Sequence, residues 1–122
     1  MLNGRTALVV EEEFLIALDI QRMLETLDVG QTLFARTASE AEQLRAHWPD
    51  LGLAVVEVRD HHTPAHDLVE QLRNTGVPLV LTTSDVTLGR TSRAFPDLPV
   101  ILKPLPEDEM TSAIREALAP RV

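Results

Sequence analysis

Five polar side chains in this sequence stand directly after short apolar runs, in positions suited to binding a cation or a charged ligand. They comprise three carboxylates, one hydroxyl and one ammonium group, which belong to Glu11, Glu12, Glu57, Thr83 and Lys103. If they share one crevice, three carboxylates and one ammonium leave an excess of negative charge. A divalent cation, a raised carboxylate pKa or exposure to solvent would each relieve that charge. The sequence leaves these three alternatives open.

The apolar runs alternate with helix-period segments five times, which predicts an α/β fold with a parallel sheet covered by helices on both faces. Four runs end in polar groups, whereas the second ends in Ala35-Arg36. We therefore expect a doubly wound, flavodoxin-like (βα)5 sheet in the order 2-1-3-4-5, with the site at the carboxyl ends of its strands. The predicted strands are residues 6–10, 32–35, 53–56, 79–82 and 100–102.

The first two helices follow from apolar spacing and from a capping pattern. Residues 13–28 place apolar side chains on one face of a helix. Thr37 and Glu40 form a capping-box pattern ahead of a second apolar stripe, which ends at Trp48. We expect Trp48 to lie in the core.

The later helices have clear boundaries, with one exception. Thr63-Pro64 starts a helix that Gly76 ends, and Pro106 opens the last helix, whose core stripe begins at Met110. Residues 84–98 show little apolar periodicity, so the fourth helix is expected to be short, frayed or absent. Three histidines near the start of the third helix are expected to be solvated: His61, His62 and His66.

Length and composition restrict the function classes. The 122 residues suit a single domain, 1–122, with a substantial core. The net charge of −8 disfavours binding to nucleic acid or to an anionic membrane. There is no cysteine for a disulfide or a thiolate metal site, and no apolar run long enough to span a membrane. A cytoplasmic protein is expected.

Four segments resemble the receiver domains of response regulators, and the resemblance covers essentially the whole chain. Residues 8–13 resemble the family's first strand and acidic pair, and residues 50–58 its third strand. Residues 78–83 resemble the fourth strand with its terminal Thr or Ser, and residues 102–104 the fifth strand with its Lys-Pro. The spacing between strands three and four looks most like single-domain regulators associated with HWE/HisKA2 kinases.

The resemblance implies a phosphorelay role. Such domains accept a phosphoryl group from a kinase histidine on an aspartate at the end of strand three. By resemblance, Glu11 and Glu12 would hold Mg²⁺, and Thr83 and Lys103 would bind the phosphoryl oxygens. The implied partner is a histidine kinase, a phosphotransfer protein, or a second copy of the chain. The second copy would bind through the side formed by the last two strands and the last two helices.

Glu57 departs from the family, which has aspartate at this position. The additional methylene extends the reach of the carboxylate by about 1.5 Å, which displaces it from the geometry needed for in-line attack. It also brings a negative oxygen towards Lys103 and Thr83, so Glu57 would imitate part of the phosphorylated state. The alternative is a site that has lost phosphorylation and retains only a protein-binding surface.

Three further departures bear on switching and on metal binding. Val100 occupies the position where receivers commonly have Tyr or Phe, and Ser84 follows Thr83 where receivers usually have Gly or Ala. Aromatic coupling is therefore absent, and Ser84 would narrow access to the site. Pro104, directly after Lys103, is a further neighbouring position. Glu11 and Glu12 form an acidic pair without the usual Asp, so weak or absent Mg²⁺ binding is expected.

The sequence thus predicts a stand-alone, atypical receiver that acts by protein contact in two-component signalling and has no catalytic residue of its own. The alternative is a Mg²⁺-dependent phosphohydrolase or phosphotransferase on the same fold. The sequence disfavours that alternative, because it contains no glycine-rich phosphate loop or Walker motif.

Overall fold

Five parallel strands form the centre of the protein. The computed structural model describes residues 1–59, 64–85 and 95–119. Neighbouring strands are all parallel, in the order β2-β1-β3-β4-β5, which confirms the predicted flavodoxin-like order. The first and last strands have the predicted bounds, the second and fourth are longer by one residue, and the third is longer by two residues at its start and one at its end. The strands are β1 (Thr6–Val10), β2 (Gln31–Ala35), β3 (Leu51–Glu57), β4 (Leu79–Thr83) and β5 (Val100–Leu102).

Four α-helices and one 3-10 helix connect these strands in the described parts of the chain. They are α1 (Phe14–Thr26), α2 (Ala38–Gln43), the 3-10 helix (Arg45–Asp50), α3 (Pro64–Asn74) and α4 (Glu107–Leu118), which follows β5. The short or absent helix predicted between β4 and β5 falls mainly on residues 86–94, which lie outside the described residues. None of the described helices is long and apolar enough to cross a membrane.

The helices cover both faces of the sheet because successive side chains of a strand point to opposite sides. Leu8 and Val10 face the cluster that contains α2 and α3, whereas Ala7 and Val9 face the cluster that contains α1 and α4. The central strand β3 is buried from Leu51 to Val56, as expected for a parallel strand covered on both sides. The predicted Met110 stripe is confirmed, since Met110, Ala113 and Ile114 are buried.

The capping pattern at Thr37 is confirmed, but the helix that follows is shorter than predicted. Thr37 Oγ1 accepts the backbone N–H of Glu40 at 3.2 Å. Helix α2 ends at Gln43, and Trp48 lies on the separate 3-10 helix, which contains Pro49. A proline at this point prevents a continuous α-helix because it lacks the N–H and clashes with the preceding turn. Trp48 is nevertheless buried, as predicted, and its Nε1–H donates to the Ala41 carbonyl at 3.2 Å.

The prediction that His66 is solvated was wrong. Its side chain is buried, and its ring stacks on Phe95 with 5.6 Å between the ring centroids. Helix α3 begins at Pro64, so His66 falls in the first turn and faces the core rather than a loop. His61 and His62 lie outside the described residues. After the helix, Gly76 adopts a φ of 84°, which suits glycine and ends the helix where predicted.

Candidate functional site

Backbone hydrogen bonds continue past the ends of the strands and bring the predicted polar residues to one edge. The N–H of Glu11 donates to the carbonyl of Ala35 at 3.0 Å, and the N–H of Lys103 donates to that of Thr83 at 2.7 Å. Glu57 is the last residue of the central strand β3. The sheet therefore fixes these backbones side by side at the carboxyl edge, where parallel sheets place their binding sites.

Lys103 is the centre of the site. Its Nζ lies 2.8 Å from Oε1 of Glu11, and it also contacts Oε2 of Glu57. The exposed fractions of the three side chains are 6% for Lys103, 0% for Glu11 and 8% for Glu57. The ammonium forms an ion pair with Glu11 and donates a hydrogen bond to Glu57. One ammonium group thus joins two nearly buried carboxylates.

The second oxygen of Glu11 is held by the start of α1. The backbone N–H of Glu13 donates to Oε2 of Glu11 at 3.0 Å. Burial raises the pKa of Glu11, and the charge of Glu57 raises it further, although Lys103 and the Glu13 N–H oppose the change. Burial alone would lower the pKa of Lys103, but its contacts with Glu11 and Glu57 prevail and raise it. The environment therefore keeps Lys103 charged and makes ionisation of Glu11 costly.

A second cation, Arg59, completes the site, and it was not among the site residues predicted from the sequence. The Nη2 of Arg59 contacts Oε2 of Glu12 and lies 3.7 Å from Oε1 of Glu57. The same Glu57 oxygen accepts the backbone N–H of Glu12 at 3.5 Å. Arg59 follows Glu57 by two residues, a spacing that favours the same side of an extended chain. That spacing was the available signal in the sequence.

Thr83 lies at the same edge but does not join the charged cluster. Its side chain is fully buried, and its Oγ1 accepts the backbone N–H of Asp85 at 3.1 Å. Within the described residues, no hydrogen bond links the Thr83 hydroxyl to Glu57 or to the ammonium of Lys103. Glu57 therefore contacts only one of the two groups that its greater length was expected to reach.

The remaining predicted positions border the site without contributing charge. Ser84 is exposed, directly after β4. Val100 is buried in the core at the start of β5, where it pairs with Leu81. Pro104 is exposed and follows Lys103 through a cis peptide bond.

The acidic residues do not fit a divalent cation in this arrangement. Mg²⁺ requires several oxygen ligands directed at one point in near-octahedral geometry. Here the carboxylates of Glu11 and Glu57 are directed at Lys103, and that of Glu12 at Arg59. Among residues 1–59, 64–85 and 95–119, no group of three His, Cys, Asp or Glu side chains is placed to hold a metal ion. Two protein cations hold the carboxylates that the resemblance assigns to Mg²⁺.

The fold, with acidic groups, a threonine and a lysine at the carboxyl edge of its sheet, is that of response-regulator receiver domains. Several solved structures match nearly all of the chain. The sequence is 26% identical to SdrG from Sphingomonas melonis Fr1, covering 98% of this chain and 100% of that one, with a TM-score of 0.71. It is 22% identical to the PhyR receiver domain of Erythrobacter litoralis, covering 98% and 97%, with a TM-score of 0.73.

A third structure extends the likeness to a more distant sequence. A response regulator from Thermotoga maritima is 17% identical, with 96% of this chain and 99% of that chain covered and a TM-score of 0.75. No protein-family profile and no curated protein sequence matches the chain. The receiver fold is thus evident from structure, at sequence identities between 17% and 26%.

Proposed function

We propose that this chain is an atypical receiver domain of two-component signalling in which Glu57 takes the place of the phosphoacceptor aspartate. It acts by contact with a partner protein and not by catalysis. The observation that supports this proposal most directly is the contact between the carboxylate of Glu57 and the ammonium of Lys103. In a receiver with the usual phosphoacceptor aspartate, the corresponding lysine would bind an oxygen of the phosphoryl group.

Glu57 supplies only part of what a phosphoryl group would supply. A carboxylate carries one negative charge and two oxygens, whereas a phosphoryl group carries more charge and three oxygens. One oxygen of Glu57 contacts Lys103, and the other lies near Arg59 and the N–H of Glu12. Neither oxygen of Glu57 is hydrogen-bonded to Thr83 in the described part of the chain, where the Thr83 hydroxyl accepts the Asp85 N–H. The proposed imitation is therefore confined to the lysine side of the site.

The partner that we propose is a histidine kinase or a phosphotransfer protein, with the HWE/HisKA2 kinases as the narrower candidate. Two large apolar side chains, Phe14 and Leu15, are strongly exposed at the first turn of α1, directly after the acidic loop. Exposed apolar groups next to a functional edge are typical of surfaces that a partner covers. A homodimer through β4, β5 and α4 is the alternative partner arrangement.

Phosphorylation of a designed variant tests the role of Glu57. Wild type, Glu57→Asp and the control Glu13→Asp would each be incubated with acetyl phosphate and Mg²⁺, and their intact masses measured. Glu13 is exposed, two residues beyond Glu11, so its replacement makes the same chemical change without altering the acceptor position. We expect an adduct of about 80 Da, one phosphoryl group, on the Glu57→Asp variant alone. Peptide mapping should locate it at position 57.

Two results would contradict the proposal. An adduct on the wild-type protein at Glu57 would show that the glutamate is itself an acceptor. An absence of any adduct on folded Glu57→Asp, with acetyl phosphate and Mg²⁺ in excess, would show that more than one methylene separates this site from a competent one. The site would then be a degenerate one, and only a protein-binding role would remain.

A further inference from the structure

Arg59 occupies a particular place among the charges of the site. It lies beyond the end of β3, half-exposed, with Nη2 contacting Glu12 and 3.7 Å from Glu57. It thus connects the outer carboxylate of the acidic pair to the carboxylate at the phosphoacceptor position. Lys103 connects that same Glu57 to the inner carboxylate, Glu11. The two cations alternate with the three carboxylates.

This alternation halves the negative charge that the residues identified from the sequence leave unbalanced. Three carboxylates and two cations leave a single negative charge across the five side chains. Glu12, the outermost carboxylate, is also half-exposed to solvent. The site therefore needs no additional cation for its charge to be tolerated.

We propose that Arg59, together with Lys103, takes the place of a divalent cation at this site, so that the acidic edge keeps its arrangement without metal. Mg²⁺ can bind only if the carboxylates of Glu12 and Glu57 turn away from Arg59. As long as the guanidinium of Arg59 stays in the site, its positive charge also repels an approaching Mg²⁺ ion. This inference concerns the cation that occupies the site. It goes beyond the role proposed for Glu57 and holds whether or not that residue imitates a phosphoryl group.

A Mg²⁺ titration of the protein with and without Arg59 tests the inference. Binding would be followed through the ¹H–¹⁵N shifts of the backbone amides of Glu12, Glu13 and Val58, and the same spectra report whether each variant is folded. We expect Arg59→Gln to bind Mg²⁺ at least about tenfold more tightly than wild type, because it removes a positive charge a few ångströms from the ion and releases Glu12.

Two control variants test whether Mg²⁺ binding depends on a positive charge at position 59 or only on the net charge of the protein. Arg22→Gln removes the same charge from the exposed part of α1, where Arg22 lies 4.0 Å from Asp19, and should leave Mg²⁺ binding as in wild type. Arg59→Lys keeps a cation at the site and should also remain close to wild type. Equal Mg²⁺ affinity in wild type and Arg59→Gln would overturn the inference, whether that affinity is high or undetectable. An equal gain in Arg22→Gln would overturn it as well.

Discussion

The carboxylate of Glu57 and the ammonium of Lys103 are in direct contact at the carboxyl edge of the sheet, and both side chains are more than nine-tenths buried. Lys103 is the only lysine in the chain. Because Glu11 holds the same ammonium from the other side, the lysine has little freedom to accept a new anionic ligand. The contact therefore dominates the electrostatics of the site.

Removal of Lys103 should cost more stability than removal of the Glu57 charge. Lys103→Met leaves two nearly buried carboxylates without their shared cation, which typically costs about 3–5 kcal/mol. Glu57→Gln leaves Lys103 paired with Glu11, so we expect a cost of only about 1 kcal/mol. Urea unfolding of both variants at neutral pH measures the difference. An equal loss of unfolding free energy in the two variants would show that Lys103 is not paired with both carboxylates.

Because its pKa is raised in the folded state, Glu11 should make the protein less stable as the pH rises above 4.5, the ordinary pKa of a glutamate. Folding raises the pKa of Glu11 above 4.5, so in this range the folded state binds a proton that the unfolded chain has released. Stability should therefore fall as the pH rises from about 4.5 through the folded pKa, and level off beyond it.

Comparison with Glu11→Gln isolates this effect from the other carboxylates. The free energy of unfolding of wild type relative to Glu11→Gln should decrease over the same pH range, measured by urea titration without divalent cations. A difference that stays constant with pH would show that the pKa of Glu11 is not raised. A difference that increases would mean that its pKa is lowered.

If both proposals hold, Arg59 also limits phosphorylation of an aspartate at position 57. In the Glu57→Asp background, adding Arg59→Gln should lower the Mg²⁺ concentration for half-maximal phosphorylation by about tenfold, because the metal no longer competes with the guanidinium. Phosphorylation by acetyl phosphate, quantified by intact mass over a range of Mg²⁺ concentrations, provides the measurement. Glu57→Asp combined with Arg22→Gln is the matched control, and an unchanged Mg²⁺ requirement would contradict the expectation.

The sequence predicts the fold well because its periodicity is strong where burial is complete. The apolar runs at 6–10 and 100–102 coincide with β1 and β5. Parallel pairing then places Glu57 and Lys103 at the same edge without any knowledge of their side chains. The end of the helix that follows Thr37 was less predictable, because Pro49 interrupts a helix that the apolar stripe would otherwise continue to Trp48.

Side-chain geometry at the site was harder to predict. Arg59 lies just beyond the end of a strand. Its contacts with Glu12 and Glu57 depend on the conformation of a long, half-exposed side chain, which no periodic pattern in the sequence constrains. The orientation of Thr83 depends on a local turn, in which its hydroxyl accepts the Asp85 N–H. The burial of His66 depends on which side of the first turn of α3 faces the core, where its ring stacks on Phe95, and no local pattern in the sequence specifies that contact.

Selective isotope labelling of lysine offers the most direct measurement of the Glu57–Lys103 contact. With ¹⁵N and ¹³C in lysine alone, Lys103 contributes the single side-chain signal, since the chain has no other lysine. In wild type at neutral pH, we predict an ammonium signal protected from exchange with water, because two carboxylates hold it. Glu57→Gln should shift that signal and accelerate its exchange, whereas Glu12→Gln should leave it nearly unchanged. An ammonium signal that is the same in wild type and Glu57→Gln would contradict the account, since Glu57 would then not be the group that holds the lysine.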